Sequence, residues 1–171
     1  MEKNNVYLWT GEGAGKTTSA LGIALRCAGH GMKVIVVQFM KGRNNIGEFK
    51  VMNKLKPYYQ IYQCGRKGWV DIDHPSKKDY ELARRGLELA RKAALKKPRV
   101  LVLDEINLAT AVGLLDVKDV LELIEHCSKY TIVYMTGRFA PKKLIERADF
   151  VNDIKEVKKP KKYPVRKGIE W

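Results

Sequence analysis

A glycine-rich segment between residues 10 and 18 is the clearest chemical motif of the chain. It reads TGEGAGKTT and follows a short apolar run, with Thr10 where the general phosphate-loop pattern has its first glycine. Glycines let successive backbone N–H groups turn inward around phosphate oxygens, and a helix beginning at Lys16 adds partial positive charge. Lys16 adds a full charge, and the Thr17 hydroxyl can bind Mg²⁺. The residues predicted to bind the nucleotide are therefore Thr10, Gly11, Glu12, Gly13, Ala14, Gly15, Lys16, Thr17 and Thr18.

Two carboxylates end a hydrophobic run further along the chain. The run VLVL spans residues 100–103, and Asp104 and Glu105 follow it directly. In open parallel sheets, ligands bind beyond the carboxyl ends of the strands, where the phosphate loop also lies. We therefore expect Asp104 to hold Mg²⁺ directly or through water, with Glu105 as a second ligand or as a group that positions water. An ordinary solvated strand end is the alternative interpretation.

Four further residues follow predicted strands or lie in a glycine-rich loop. Arg138, in the run TGR, can bind a phosphate with its planar guanidinium group or can be a solvated surface arginine. Gln38 and Lys41 follow the run KVIVVQF and can reach the same ligand, although Lys41 is equally consistent with a surface position. Trp69 lies among glycines and basic residues, where it can cover a flat ligand or fill a gap.

Alternating apolar runs and helical patterns predict the elements that carry these residues. Strands are expected at residues 6–10, 33–39, 60–63, 100–103, 131–136 and 150–154, and helices at 16–28, from Ser76 onward, after Asp116 and at 141–147. This rhythm is typical of βα units. It predicts an α/β, single-domain P-loop NTPase-like fold over residues 1–171, with a mostly parallel sheet of about six strands flanked by helices. The basic segment 155–171, which contains Pro160 and Pro164, is expected to be extended.

Composition narrows the functional class. The 171 residues are 45% hydrophobic and 30% charged, which excludes a disordered chain, and no apolar run reaches the roughly 18–20 residues of a membrane-spanning helix. The net charge is +14, of which residues 155–167 carry +6. Such a charge favours a polyanionic partner. Three cysteines without CxxC spacing, and no signal-peptide pattern, predict reduced thiols in the cytoplasm.

Taken together, these motifs resemble the P-loop class of ATP:corrinoid, or cob(I)alamin, adenosyltransferases. The resemblance rests on TGEGAGKTT at 10–18, AGHGMKVIVVQFMKG at 28–42, VLVLDEI at 100–106 and TGR at 136–138. It also includes Ala148-Asp149 and the run Gly168-Ile169-Glu170 near the C-terminal Trp171. The motifs occur in the family's order from about residue 6 to residue 171, and Thr10 matches the family's own form of the loop.

The resemblance implies transfer of the 5′-deoxyadenosyl group of ATP to the cobalt of a reduced corrinoid, with triphosphate released. It implies Lys16, Thr17, Glu105 and Arg138 as catalytic residues and Thr17, Asp104 and Glu105 as ligands of Mg²⁺ or Mn²⁺. It also implies ATP as co-substrate, a homodimer, a flavoprotein as possible electron donor, and a role in cobalamin biosynthesis or salvage. Because Co(I) is itself the nucleophile, no activated Ser, Cys or His is required.

The sequence departs from the family's pattern in two of its motifs. The loop after the third strand often reads Gly-x-Gly-Phe-x-Trp in the family, whereas here Gly65-Arg66-Lys67-Gly68-Trp69 has no Phe. We therefore expect Trp69 alone to cover the corrin. A Lys-His pair common in the family's tail reads Lys158-Lys159 here, so this chain has no histidine at that position.

Two other functions are consistent with parts of the sequence. The charge of +14 and the basic tail are compatible with an ATP-regulated protein that binds nucleic acid, although no aromatic RNA platform or recognition helix stands out. The phosphate loop alone is also compatible with a kinase acting on a nucleoside or another small molecule. A kinase releases ADP, whereas an adenosyltransferase releases triphosphate.

Overall fold

The computed structural model describes residues 3–68 and 70–169, and within them helices alternate with strands of one parallel sheet. The strands are β1 (Val6–Thr10), β2 (Val34–Phe39), β3 (Tyr59–Cys64), β4 (Val100–Asp104), β5 (Ile132–Thr136) and β6 (Phe150–Asp153). The helices are α1 (Lys16–Gly29), α2 (Gly47–Val51), α3 (Lys77–Leu95), α4 (Ile106–Ala111), α5 (Val117–His126) and α6 (Lys142–Arg147). The predicted α/β class is confirmed.

The strand order of the sheet is β3-β2-β4-β5-β1-β6, and every neighbouring pair is parallel. Strands that are distant in sequence therefore become neighbours: β4 lies between β2 and β5, and β1 lies between β5 and β6. All carboxyl ends point to one edge of the sheet. That edge collects the phosphate loop after β1 and the residues that follow β2, β4, β5 and β6.

A hydrophobic core covers each face of the sheet. On one face α3, α4, α5 and α6 bury alternate strand residues such as Leu8, Val37 and Leu103. On the other face α1 packs its Ala20, Ala24 and Ala28 side chains on the remaining strand residues. This explains why β2 and β4 read as continuous apolar runs, since both of their faces are buried.

The two long helices of the first face begin at the residues that the sequence predicts. Ser76 and Asp79 form a capping box at the start of α3, and the Asp116 side chain accepts a hydrogen bond from the Lys118 N–H at the start of α5. Gly86 of α3 lies so close to the sheet that an added Cβ would be 2.8 Å from the Phe39 ring. The missing side chain therefore sets how closely α3 packs on β2 and β3.

The predicted element boundaries agree with the structure to within one or two residues. Two short helices, α2 and α4, were not predicted, because so few turns show little helical period, although the equally short α6 was predicted. The basic segment has no helix or strand over residues 154–169, and these residues are mostly exposed. Among the helices of the described residues, none is both long and apolar enough to cross a bilayer.

Candidate functional site

The loop between β1 and α1 has the conformation that its glycines predict. Gly11 and Gly15 have φ angles of +95° and +110°, which residues other than glycine rarely adopt. The Gly13 N–H donates to the Ile154 carbonyl at 2.8 Å, and an added Cβ at Gly11 would be 2.3 Å from Asp153 Oδ1. The residues after β6 therefore hold one side of the loop. Thr10 connects the loop to the segment after β5, because its hydroxyl accepts a hydrogen bond from the Ala140 N–H at 3.3 Å.

Lys16, the first residue of α1, folds its side chain back over this loop. Its Nζ donates to the Gly11 and Gly13 carbonyls, each at 2.6 Å. Burial, aided by the Arg138 guanidinium, lowers the pKa of Lys16, although Glu105, Glu12 and Asp153 oppose the shift. A partly desolvated ammonium group within the loop is suited to bind an anion that replaces the two carbonyls as its partner.

Asp104, the last residue of β4, is the fully buried centre of the site. Its Oδ1 accepts hydrogen bonds from the hydroxyls of Thr136 at 2.6 Å and Thr17 at 2.9 Å. Its Oδ2 accepts from Gln38 Nε2 at 3.0 Å and from Lys41 Nζ at 2.7 Å. Both carboxylate oxygens are thus fully occupied, which is what a buried charge requires.

The Lys41–Asp104 ion pair determines the charge of the site. Burial by itself would lower the pKa of Lys41, but the negative charges of Asp104, Glu105 and Glu48 outweigh it and raise the pKa. Burial likewise opposes ionisation of Asp104, but Lys41 and the hydrogen bonds from Thr136 and Thr17 lower its pKa. Both groups therefore stay charged near neutral pH. The surface interpretation of Lys41 is wrong, since its side chain is only 29% exposed and contacts the centre of the site.

Glu105, the next residue, has a different environment. Its φ is +62°, and its backbone N–H donates to Thr136 Oγ1 at 3.1 Å. This geometry turns the side chain toward Lys41 Nζ, which lies 3.7 Å from Oε1. Burial and the neighbouring Asp104 charge raise the pKa of Glu105, against the lowering effect of Lys41. Glu105 thus combines a left-handed backbone with a disfavoured charge, and both features are frequent at functional sites.

Arg138 follows β5 and lies at the outer side of the phosphate loop. Its Nε is 3.5 Å from Glu12 Oε2, and its side chain is half exposed. Of the two interpretations that the sequence leaves open, the structure places Arg138 beside the loop, in contact with another loop residue. Because Glu12 is also exposed, this pair can separate and leave the guanidinium group available to an anion.

The remaining predicted residues take different positions. Gln38 is fully buried and contacts Asp104 and Gln63, so it orients the carboxylate within the sheet. Thr18 is exposed, and its hydroxyl donates to the Gly15 carbonyl at 3.0 Å. Trp69 lies outside the described residues, and its role stays a prediction.

Three residues of the site were not singled out from the sequence. Thr136 binds both Asp104 and the Glu105 backbone, and Asn107 Nδ2 donates to the carbonyls of Trp9 and Gly137 at 3.1 and 3.2 Å. Asp153 contacts the loop at Gly11. Thr136 and Asp153 are the last residues of β5 and β6, so the rule used for Asp104 would have found them had it been applied to every strand. Asn107 lies in α4, a helix that the sequence did not predict.

The basic tail borders the phosphate loop. An open cleft of about 520 Å³ lies between Gly11, Glu12 and the end of β6 on one side and tail residues that include Lys155, Lys158 and Lys159 on the other. The tail therefore contributes positive charge next to the loop, which agrees with a polyanionic ligand at this edge of the sheet.

The site has oxygen ligands suited to a hard divalent cation. The Lys41 ammonium nitrogen lies within 3.7 Å of oxygen atoms from three side chains, those of Thr17, Asp104 and Glu105. Oxygen ligands of this kind are those that Mg²⁺ prefers, and the residues present therefore fit the ion. No group of three or more His, Cys, Asp or Glu side chains suited to a metal occurs in the described part of the chain. A metal here would accordingly need nucleotide phosphates or water as its further ligands.

Comparison with known proteins agrees with this geometry. The family model described as "ATP:corrinoid adenosyltransferase BtuR/CobO/CobP" matches residues 2–171. A corrinoid adenosyltransferase of Sinorhizobium sp is 33% identical over 99% of this chain and 78% of its own length. That of Pseudomonas aeruginosa is 34% identical over 99% of this chain and 85% of its own length. That of Escherichia coli K12 is 32% identical over 92% of this chain and 79% of its own length.

The family match covers nearly the whole chain and includes the phosphate loop, the Asp104 network and the basic tail. Several relatives above 30% identity carry the same name, so the likeness does not depend on a short motif. The chain belongs to the ATP:corrinoid adenosyltransferase family.

Proposed function

We propose that residues 1–171 form one adenosyltransferase domain that transfers the 5′-deoxyadenosyl group of ATP to the Co(I) centre of a reduced corrinoid. The observation that carries the proposal is the convergence of Lys16 and Thr17 with the buried Asp104 at one sheet edge, in a chain of this family. ATP and the corrinoid are the two substrates. We propose a role in adenosylcobalamin biosynthesis or salvage.

The reaction needs no activated Ser, Cys or His, because the cobalt of the reduced corrinoid is the nucleophile. An electron pair of Co(I) attacks C5′ of ATP, the cobalt–carbon bond forms, and the C5′–O bond breaks. The cobalt is formally oxidised by two electrons to Co(III), and the triphosphate leaves with the bonding pair. The protein must therefore orient C5′ toward the metal and stabilise the charge that develops on the leaving triphosphate.

We assign that stabilisation to the residues around the phosphate loop. Lys16 would exchange its two loop carbonyls for phosphate oxygens, and the N–H groups of the loop other than that of Gly13, which donates to Ile154, would bind the same chain of phosphates. Arg138 would leave Glu12 and add a second full charge from the opposite side. These interactions strengthen as negative charge accumulates on the leaving group, so they favour the transition state over bound ATP.

We propose that Thr17, Asp104 and Glu105 hold Mg²⁺, or Mn²⁺ in its place. The ion, when bound, would neutralise part of the triphosphate charge. Gln38 and Thr136 would keep the Asp104 oxygens aimed at it, because both side chains are buried and hydrogen-bonded to that carboxylate. Thr17 would also connect the ion site to the first turn of α1, next to Lys16.

We propose three further properties that rest on the family resemblance. The protein would work as a homodimer, accept reduced corrinoid in the presence of a flavoprotein electron donor, and act in the cytoplasm. The cysteines Cys27, Cys64 and Cys127 are all free thiols, which is consistent with a reducing compartment. Light scattering of the purified protein measures its oligomeric state, and a monomer at micromolar concentration would contradict the first of these properties.

The decisive experiment is product analysis after anaerobic incubation with ATP, Mg²⁺ and chemically reduced cobalamin. We expect adenosylcobalamin and triphosphate in equal amounts. ADP as the nucleotide product would instead indicate a kinase. A folded protein that binds ATP but forms no adenosylated corrinoid under strict reduction would refute the proposal.

A pair of lysine variants tests the assignment of the loop. Lys16→Ala should reduce transfer by two orders of magnitude or more, because electrostatic stabilisation of a leaving group contributes about 10²–10³-fold per donor. Lys142→Ala is the control, since Lys142 is 89% exposed on α6 and pairs with the exposed Glu146 at 3.6 Å. Circular dichroism should show both variants folded. Transfer at the wild-type rate in Lys16→Ala would contradict the role given to the loop.

A further inference from the structure

The ammonium group of Lys41 lies among the oxygens assigned above to the metal. Its Nζ is 3.0 Å from Thr17 Oγ1, 2.7 Å from Asp104 Oδ2 and 3.7 Å from Glu105 Oε1. These oxygens come from α1 and from the end of β4, so they form one concave set around a single cation. An ammonium group and a divalent ion at that position would repel each other at a separation of a few ångströms.

The backbone holds Lys41 close to this position. Met40 has a φ of +58°, and its N–H donates to the Cys64 carbonyl at 3.2 Å. Gly42 lies against the loop after β3, since an added Cβ would be 2.2 Å from the Gly65 carbonyl oxygen. The chain on either side of Lys41 is therefore fixed by β3. Its side chain is 29% exposed, which leaves the ammonium group a way toward solvent and toward a bound ligand.

Asp104 needs a positive partner in every state of the protein. Its side chain is fully buried, and an unpaired buried carboxylate is strongly disfavoured. Its other partners, Thr136, Thr17 and Gln38, are neutral hydrogen-bond donors. Two cations can therefore alternate at Asp104: the Lys41 ammonium group when no metal is bound, and the divalent ion when it is.

We propose that Lys41 is a positioning residue that occupies the cation position in the metal-free protein and must be displaced when the divalent ion binds. The inference rests on the proposed metal–nucleotide site and adds that the binding of the ion is coupled to the binding of the nucleotide. The ion alone must break the Lys41–Asp104 pair without compensation, so it binds weakly. Nucleotide phosphates give the displaced ammonium group a new anionic partner, so ion and nucleotide bind together.

The test measures metal binding alone, with neither nucleotide nor corrinoid present. Mn²⁺ is the probe, and electron paramagnetic resonance of the free ion gives its affinity for the wild-type protein and for Lys41→Met. Methionine keeps the length and most of the volume of the lysine stem but not its charge. We expect Lys41→Met to bind Mn²⁺ at least tenfold more tightly than the wild type. Lys142→Met, in which a distant exposed lysine is lost, should match the wild type.

A second variant and a second measurement keep the test decisive if Lys41→Met does not fold. Lys41→Met leaves Asp104 without a counter-charge and can unfold in the absence of metal. Lys41→Gln retains an amide that can donate to Asp104, so it should stay folded and also bind Mn²⁺ at least tenfold more tightly. In thermal unfolding, Mn²⁺ should raise the melting temperature of either Lys41 variant more than that of the wild type.

The outcomes separate this inference from the proposed reaction. Mn²⁺ affinity in folded Lys41→Met or Lys41→Gln that equals or falls below that of the wild type would overturn the displacement of Lys41, even if the wild-type enzyme forms adenosylcobalamin. It would mean that the ion binds at a place that the Lys41 ammonium group does not occupy. Tighter Mn²⁺ binding in the variants would support the inference even if the protein proved to transfer a different group of ATP.

Discussion

Thr136 offers a direct measure of how strongly the buried carboxylate is held. Its side chain is fully buried, its hydroxyl donates to Asp104 Oδ1 at 2.6 Å, and it accepts from the Glu105 N–H at 3.1 Å. Thr136→Val keeps the shape but removes both hydrogen bonds. A hydrogen bond to a charged group contributes about 1.5–3 kcal/mol, and a buried N–H left without an acceptor adds to the loss. We expect the free energy of unfolding to fall by about 2–4 kcal/mol.

Thr131→Val is a matched control for this change. Thr131 is also fully buried, but its hydroxyl donates to a neutral acceptor, the Pro98 carbonyl, at 2.7 Å. Its loss should cost about 0.5–1.5 kcal/mol. Urea unfolding followed by circular dichroism, at pH 7 and without metal or nucleotide, measures both values. At about 2–4 °C per kcal/mol for a chain of this size, Thr136→Val should melt roughly 4–16 °C below the wild type.

The pH dependence of the two variants separates the charged from the neutral contact. Interactions that lower the pKa of Asp104 contribute stability that is fully present above its ordinary value of 3.8 and is lost as the pH falls through the lower value of the folded protein. The cost of Thr136→Val should therefore shrink in acid, whereas that of Thr131→Val should not change. Equal costs of the two variants at pH 7, within about 0.5 kcal/mol, would refute the reasoning.

Three further outcomes follow from the same contacts. Glu105→Gln should be more stable than the wild type at neutral pH, because the fold raises the pKa of this carboxyl; the gain should vanish below about pH 4.5, and a loss at pH 7 would contradict it. Gly86→Ala should lower the melting temperature, since its Cβ would meet the sheet at 2.8 Å, whereas Gly22→Ala on the open side of α1 should raise stability by about 0.5–1 kcal/mol. The opposite order in differential scanning calorimetry would be inconsistent with the packing of α3. Burial raises the pKa of Cys64 and Cys127 to about 11, so a thiol reagent at pH 8 should modify them only after unfolding; rapid reaction in the native protein would show that they are exposed.

Local sequence patterns determined the elements and the phosphate loop. Glycines at positions 11, 13 and 15 before Lys16 permit the backbone conformations that a phosphate loop needs, and the apolar run before them and the helical pattern after them predict that loop. The apolar runs of β2 and β4 predict strands buried on both faces, and Ser76 with Asp79 predicts the start of α3. These features depend on residues within a few positions of one another, so the sequence contains the information needed to predict them.

The composition of the site depended on contacts that no local pattern contains. Asp104 meets Thr17, Gln38, Lys41 and Thr136, which lie between 32 and 87 residues away in the chain. They meet because the strand order places β4 between β2 and β5 and because every carboxyl end lies at the same edge. A motif at one strand end predicts that a ligand binds there, but only the order of the strands decides which other strand ends are its neighbours.

Lys41 shows the difference most clearly. From its sequence it was as consistent with a solvated surface residue as with a ligand contact. The left-handed turn at Met40 and the close approach of Gly42 to Gly65 direct its ammonium group to the buried carboxylate. Residue types therefore determined the chemistry available to this protein. The packing of β3 against the loop after β2 decided that the Lys41 ammonium group lies at the centre of the site. The reason is that the backbone position of a lysine determines which groups its flexible side chain can reach.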